Sequence, residues 1–326
     1  MKRHYWTSPI AIYLFLGGLG GGIMFLAWIM SAFVFAGQAD ILGPALAGPM
    51  FIALLCLALG CFFLVFELGQ PPVFWRVFTT ATAIIKWGAT MLSIAMFFNL
   101  FYVLAYVPWF PVFENFFMPF RAFNLGVAGL MGLGIMIYTG VMLSTLKAHA
   151  FWATPALPIL FTTSATSTGC AAISLSLGVW PGSVHMTMAS YLGAVAIHEV
   201  LHVVDIVLVF VEIGILLIMV LSFLGSGTRT AKRAAKRWVS GAYAGWFWIG
   251  MIGFGLVIPL CMYLSGVSAM SNGVAPVLVL CGGLLLRYLC VWTDDRQPLP
   301  GEERYYNKLP KSDAQFLHAW EDGDLY

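Results

Sequence analysis

One stretch of the sequence, residues 194–221, combines ionisable side chains with an otherwise apolar run, AVAIHEVLHVVDIVLVFVEIGILLIMVL. Four of these side chains are spaced i, i+4, i+7 and i+14. On a helix they would share one face, within an arc of about 80° and over about 21 Å of axis. They are His198, His202, Asp205 and Glu212. Because a charge inside a bilayer costs at least a few kcal/mol, this stripe predicts a functional site, and proton transfer is the chemistry that suits it.

The same segment contains H-E-x-x-H, the pattern of zinc proteases. In that interpretation His198 and His202 bind zinc and Glu199 acts as general base. Glu199 lies about 100° from His198, off the shared face. No second acidic or histidine motif on another apolar segment supplies the third ligand, and Asp205 would have to bind from the same helix. An intramembrane zinc protease is therefore a remote alternative, and we expect no metal in this protein. A purely structural alternative is that the stripe only pairs with polar groups of neighbouring helices.

Composition places the stripe in a polytopic membrane protein. Of 326 residues, 61% are hydrophobic and only 9% are charged, which excludes an ordinary soluble domain. A span needs about 20 apolar residues. Eight such runs lie at roughly 9–36, 47–68, 84–107, 121–145, 157–179, 190–224, 240–266 and 274–292. We predict an all-α protein with eight transmembrane helices, the sixth of which carries the stripe.

The residue types that bind redox metals are badly placed for that role. The six cysteines are scattered through the apolar runs without a C-x-x-C pair, so we expect no iron–sulfur cluster in this protein. A membrane haem needs axial ligands from facing positions. Only His198 and His202 lie within a span, and both stand on one helix, so we expect no haem either.

The distribution of basic residues predicts the orientation. Eight spans put both termini on one side, and that side collects 14 of the 16 lysines and arginines. The exceptions are Arg121 and Arg287. The positive-inside rule therefore predicts a multi-pass protein of the cytoplasmic membrane with cytoplasmic termini. The basic cluster over 229–237 is typical of a segment that contacts membrane lipid, and we expect no nucleic-acid partner.

Several separate motifs resemble the NrfD family, the membrane subunit of polysulfide-reductase-type complexes. They are PIAIYLFLGGLGGG in the first span, ELGQPPVFWRV after the second, FWATPALPILFTTSATSTG at the fifth, WFWIGMIGFGLVIPL in the seventh and APVLVLCGGLLLRY in the eighth. The resemblance implies eight helices arranged as two four-helix bundles. The sequence would then divide into 1–145, which holds a quinone site, 146–292, and a cytoplasmic tail over 293–326.

The resemblance also implies a function. The family exchanges electrons between a membrane quinone, either menaquinone or ubiquinone, and an iron–sulfur subunit that serves a catalytic partner, often a molybdopterin enzyme. The protein would then be a quinone- or quinol-reactive anchor that is not catalytic alone. The residues of the stripe, taken alone, leave an alternative function open: a proton-coupled transporter or pump without redox chemistry.

Quinone-contact residues follow from the same resemblance. Tyr13 lies one turn before the glycine run, where family members carry a polar residue that contacts quinone, and Tyr138 lies at a similar depth. Gly17, Gly18 and Gly21 would form a flat shelf for the ring. The alternatives are interfacial anchoring for the tyrosines and close helix packing for the glycines. Tyr13 and Tyr138 lie near the side of the membrane that holds both termini, so we expect the iron–sulfur partner on the cytoplasmic side.

For the stripe, the resemblance favours Asp205 and Glu212, which match acidic positions of the family's sixth span, whereas His198 and His202 are additions. The remaining intramembrane cation is Arg287. We expect it to form an ion pair with Glu67 or Glu212, or to extend toward the interface.

Overall fold

A computed structural model describes residues 8–67, 71–79, 83–107, 111–147, 149–177, 187–226, 228–266 and 269–293. Within these residues the protein forms helices and no strand, and eight helical segments are long and apolar enough to cross a membrane. The predicted all-α class and the number of spans are confirmed. Apart from Thr293, the predicted tail lies outside the described residues.

The helices are, in sequence order, α1 (Ser8–Ile29), α2 (Ala39–Glu67), α3 (Ile84–Leu104), α4 (Pro111–Phe117), α5 (Arg121–Ser144), α6 (Ala156–Ser176), α7 (Met188–Ser226), α8 (Arg229–Val239), α9 (Ile258–Leu264) and α10 (Ala269–Trp292). Two π-helical segments extend them: Met30–Val34 continues α1, and Trp246–Val257 leads into α9. Short 3₁₀ helices occupy Pro71–Phe78 and Met118–Phe120.

Two spans begin at positions that differ from the apolar runs. The second helix starts at Ala39 instead of near residue 47, and it includes Pro44 and Pro49. Prolines are tolerated in membrane helices because neighbouring helices and local adjustments satisfy the freed backbone groups. The seventh span starts at Trp246, since the separate basic helix α8 ends at Val239 and a turn follows it.

The first helix lies at the centre of the molecule. It packs against α2, α5, α6 and α10, and 14 of its 22 residues are buried. The glycine run makes this packing possible at two positions in particular. A Cβ on Gly21 would lie 2.7 Å from the carbonyl oxygen of Gly132 in α5, and one on Gly22 would overlap the backbone of Ala165 in α6. The backbones of these helices can approach so closely because glycine has no side chain at these positions.

The contacts between helices link the first four spans to the last four. Neighbouring helices pack within each set, but α1 also packs against α6 and α10, and α2 packs against α7. The division into two four-helix bundles, with its boundary near residue 145, stays a prediction. For the site, the important consequence of this packing is that α7 packs against α6 and contacts α9, and that α10 packs against α6 as well.

Candidate functional site

The two carboxylates of the stripe point into the protein. Asp205 is 2% exposed and Glu212 is 4% exposed, whereas His198 and His202 are partly buried. Glu199 lies on an exposed side of the same helix. Both carboxylates therefore share one buried face of α7, as their helical spacing predicts, and the structure shows that α7 packs against α6.

Asp205 is held by side chains from two other helices. The Ser167 hydroxyl of α6 donates a hydrogen bond of 2.5 Å to its Oδ1 atom. The side chain of Tyr263, in α9, also lies close enough to interact with the Asp205 carboxylate. Among the described residues the second oxygen, Oδ2, has no hydrogen-bond partner and is buried. This oxygen is the part of the carboxylate that is available to a proton or to water.

Glu212 lies two turns further along α7, where its neighbours are Ser164 and Arg287. The Ser164 side chain lies close enough to interact with the Glu212 carboxylate, and Arg287 interacts with it electrostatically. Arg287 is only 1% exposed, so the interface position considered for it is wrong. The side chain of Glu67 lies outside the described residues, so a pairing of Glu67 with Arg287 stays a prediction.

The environment of the Arg287 guanidinium is unusual for a buried cation. Its Nη2 atom donates to the carbonyl oxygen of Phe161 at 3.1 Å, and the group stacks 4.2 Å from the centre of the Phe161 ring. Within the described part of the protein, Nε and Nη1 have no hydrogen-bond partner. Gly18 of α1 faces the same group, and a Cβ there would lie 3.6 Å from Nη2.

The histidines continue the stripe away from Arg287. The His202 ring meets the Tyr263 ring edge-on, with centroids 4.9 Å apart, and His198 is near enough to His202 to interact with it electrostatically. In the described region the buried Nε2 atom of His202 has no hydrogen-bond partner. Polar groups therefore follow one another from His198, through Asp205, to Glu212.

The described residues contain no group of three or more His, Cys, Asp or Glu side chains that would hold a metal ion. In particular, no third ligand from another described helix approaches His198 and His202. The zinc-protease interpretation therefore gains no support from the part of the protein that is described.

The predicted quinone residues fall into two groups. Tyr13 and Tyr138 are both buried and close enough to interact electrostatically, and Cys61 lies nearby. The Tyr138 hydroxyl donates to the sulfur of Met142, at 3.4 Å, which is a weak acceptor. Gly17 faces Thr139 at an ordinary distance, since a Cβ there would lie 3.8 Å from its methyl group. These residues lie together.

Gly18 and Gly21 have different surroundings. Gly18 faces Ala165 and the Arg287 guanidinium, and Gly21 faces the backbone of α5. The glycine run thus contacts the tyrosines on one side and the buried arginine on another. Its role in quinone contact stays a prediction.

Sequence reasoning does not identify three residues of this site: Ser164, Ser167 and Tyr263. The serines lie in a Ser/Thr-rich segment whose hydroxyls are expected to bond within their own helix or across helices. Tyr263 lies at the end of a span, where a tyrosine is typical of an interfacial anchor. Only their positions opposite Asp205 and Glu212 distinguish these three residues.

The fold and its interior define a multi-pass α-helical membrane protein with two carboxylates and an arginine sealed between its helices. Residues 1–294 match the family model described as polysulphide reductase, NrfD. The protein therefore belongs to the NrfD family, and the resemblance of its motifs is confirmed.

Curated relatives match over nearly the same region. Protein NrfD of Escherichia coli (strain K12) is 29% identical over 309 residues, which cover 87% of this sequence and 91% of the relative. The C chain of polysulfide reductase from Wolinella succinogenes is 27% identical over 319 residues, with 88% and 93% covered. A protein NrfD homolog of Haemophilus influenzae is 25% identical over 291 residues, with 78% and 82% covered.

Proposed function

We propose that this protein is the quinone-reactive membrane anchor of a multisubunit oxidoreductase. In this role it exchanges electrons with an iron–sulfur subunit, which serves a molybdopterin-containing catalytic subunit, and α7 carries protons to or from the quinone. Membership of the NrfD family supports the role of membrane subunit. One relative is named as the C chain of polysulfide reductase, and this name supports assembly with other subunits.

The observation that carries the proposal is the line of buried ionisable groups on α7. Asp205 and Glu212 are almost fully removed from solvent, and each has a hydroxyl partner from α6. Burying a carboxylate is costly. Within the described residues, Arg287 donates its hydrogen bond to Phe161 and not to Asp205 or Glu212. A proton path accounts for both groups and for their alignment.

The residues near Tyr13 suit a quinone. A bound menaquinone or ubiquinone would supply the coupled two-electron and two-proton chemistry. Tyr13 and Tyr138 present two hydroxyls in apolar surroundings, and that of Tyr138 meets a weak sulfur acceptor. Such hydroxyls can donate hydrogen bonds to carbonyl oxygens. Gly17 leaves the adjacent face of α1 flat.

The protein residues would move protons in one line. His198 and His202 lie at the end of the path that is remote from Tyr13, and Glu212 lies at the other end beside Arg287. Gly18 faces the Arg287 guanidinium, so this arginine links the path to the glycine run of α1.

The orientation belongs to the same proposal. Cytoplasmic termini in the cytoplasmic membrane would put the Tyr13 end, and the docking face of the iron–sulfur subunit, on the cytoplasmic side. Membrane lipid surrounds the helices, and nucleic acid has no part in the function.

The decisive experiment uses the complex purified with its partner subunits. We expect bound quinone, and we expect Asp205→Asn to lower quinol-dependent turnover by about 10²-fold, the scale of a lost proton-transfer group. Glu199→Gln, on the exposed side of the same helix, is the matched control and should retain activity.

Two results would contradict the proposal. One is a complex without bound or competable quinone in which Asp205→Asn is fully active. The other is proton movement by this protein that persists without quinone and partner subunits, which would indicate a proton-coupled transporter.

A further inference from the structure

Asp205 and Glu212 are too far apart to exchange a proton directly. Seven residues separate them, which corresponds to about 10.5 Å along the helix axis. A hydrogen bond between oxygens spans only about 2.5–3.0 Å. Both side chains are buried, so bulk water does not lie between them. A proton path through both residues therefore needs further groups in the gap.

The hydroxyl side chains over residues 162–168 of α6 fall into two sets. The threonines bond back to carbonyl oxygens of their own helix: Thr162 to Pro158 at 2.8 Å, Thr163 to Ile159 at 3.0 Å, Thr166 to Thr162 at 2.8 Å and Thr168 to Ser164 at 2.9 Å. The two serines among them behave differently. Ser167 donates to Asp205, and Ser164 lies beside the Glu212 carboxylate, near enough to interact with it.

The spacing of these serines matches the gap. Ser164 and Ser167 are three residues apart, so their Cβ atoms lie about 5–6 Å from each other on one face of α6. A single water molecule that makes two hydrogen bonds of about 2.8 Å spans such a distance. Two hydroxyls and one water would thus connect the carboxylates.

Unused hydrogen-bonding groups lie at both ends of the gap. Asp205 Oδ2 and the Nε and Nη1 atoms of Arg287 are buried, and none has a hydrogen-bond partner in the described part of the protein. Buried polar groups of this kind are commonly satisfied by internal water. The polar lining that a water site needs is therefore present.

We propose that Ser164 and Ser167, with one water molecule held between them, form the link that passes protons between Asp205 and Glu212. The inference rests on the proposed proton path. A proton on Asp205 passes to the Ser167 oxygen as the Ser167 proton passes to water. Water gives a proton to Ser164, which gives its own to Glu212. Each oxygen that loses a proton gains another, so the net change is one proton moved and no oxidation.

The test compares serine-to-alanine variants on one helix, in the purified complex in proteoliposomes. We expect Ser164→Ala/Ser167→Ala to slow quinol-linked proton uptake by about tenfold, the effect of a lost hydrogen-bonded step. The solvent deuterium isotope effect should change, and the bound quinone content should not. Ser176→Ala is the matched control, because Ser176 is buried on α6 but bonds to Ala172 of its own helix at 2.6 Å. The double threonine variant, which keeps both hydroxyls, should restore uptake.

The outcomes separate this inference from the proposed function. Wild-type uptake in the double alanine variant would overturn the link and leave the quinone role intact. A wild-type complex without quinone-linked uptake would overturn the proposed path, and the link with it. If the double variant does not fold, proton uptake is measured in the two single alanine variants instead. Uptake at the wild-type rate in both single variants would overturn the link.

Discussion

At the scale of single residues, the two carboxylates of α7 have different partners. Asp205 is surrounded by hydroxyls, from Ser167 and Tyr263, whereas Glu212 has both a hydroxyl and the positive charge of Arg287. Hydroxyls can donate or accept as a proton passes, but arginine only donates and keeps its charge. Asp205 is thus suited to transfer, whereas Glu212 in its ionised form is suited to pair with the positive charge of Arg287.

The interaction between Glu212 and Arg287 predicts non-additive effects on stability. Arg287→Met leaves a buried carboxylate without its cation, and we expect it to destabilise the protein by about 3–5 kcal/mol. Adding Glu212→Gln should recover a large part of this loss. Thermal unfolding of the purified protein, in a double-mutant cycle, measures the coupling. Independent losses that simply add would show that the two side chains do not interact.

A second prediction at this scale concerns the tyrosines. Tyr13→Phe and Tyr138→Phe each remove one donor for a quinone oxygen, so each should weaken quinone binding by about tenfold, the value of one hydrogen bond. Equilibrium titration with a quinone analogue measures the affinity. Tyr102→Phe is the control. Tyr102 is also buried, but it lies in α3 14 residues after Gly88, and Gly88 is the residue of α3 that faces the Tyr138 ring. Equal affinities in all variants would contradict the assignment.

At the scale of elements, the glycines of α1 decide how closely helices approach. Gly22→Ala should destabilise the protein by about 1–3 kcal/mol, because its Cβ would overlap the Ala165 backbone. Gly214→Ala, in α7, meets nothing within 4 Å and should be neutral or stabilising, since alanine favours the helix. Melting temperatures of the two variants test the contrast. A stable Gly22→Ala protein would mean that α1 and α6 are further apart.

The sixth span also shows how far a one-dimensional pattern can predict structure. The spacing of the stripe alone predicts a shared helix face, and α7 does turn both carboxylates inward. At 39 residues, α7 is about 58 Å long and exceeds the roughly 30 Å hydrocarbon core. The length of the apolar run predicts this excess. The residues opposite the stripe belong to other helices, and no periodicity within α7 identifies them.

At the scale of the whole molecule, the orientation is open to a direct test. Positive-inside predicts that a fluorescent protein fused after Tyr326 is fluorescent and that alkaline phosphatase at the same site is inactive. Fusions after Gly37, at the other end of α1, should give the reverse pattern. Active phosphatase at Tyr326 would instead place the termini, and the docking face for the iron–sulfur partner, on the outer side of the membrane.

The sequence by itself determined the class of molecule, the number of spans, the inward face of α7 and the family. These depend on composition, apolar run length, helical period and motifs, all of which are local along the sequence. The glycine run shows the limit, because the sequence left both helix packing and a quinone shelf open. The positions of Gly21 and Gly22 against other backbones favour packing there.

Only the tertiary structure decided which groups meet. It brought Ser164 and Ser167 of α6, Tyr263 of α9 and Arg287 of α10 to the carboxylates of α7, and it brought Tyr13 to Tyr138. Within this site Arg287 bonds to Phe161, a residue 126 positions away in the sequence. Such proximity depends on how helices cross and pack, which is set by contacts between distant segments and leaves no periodic signal within any one of them.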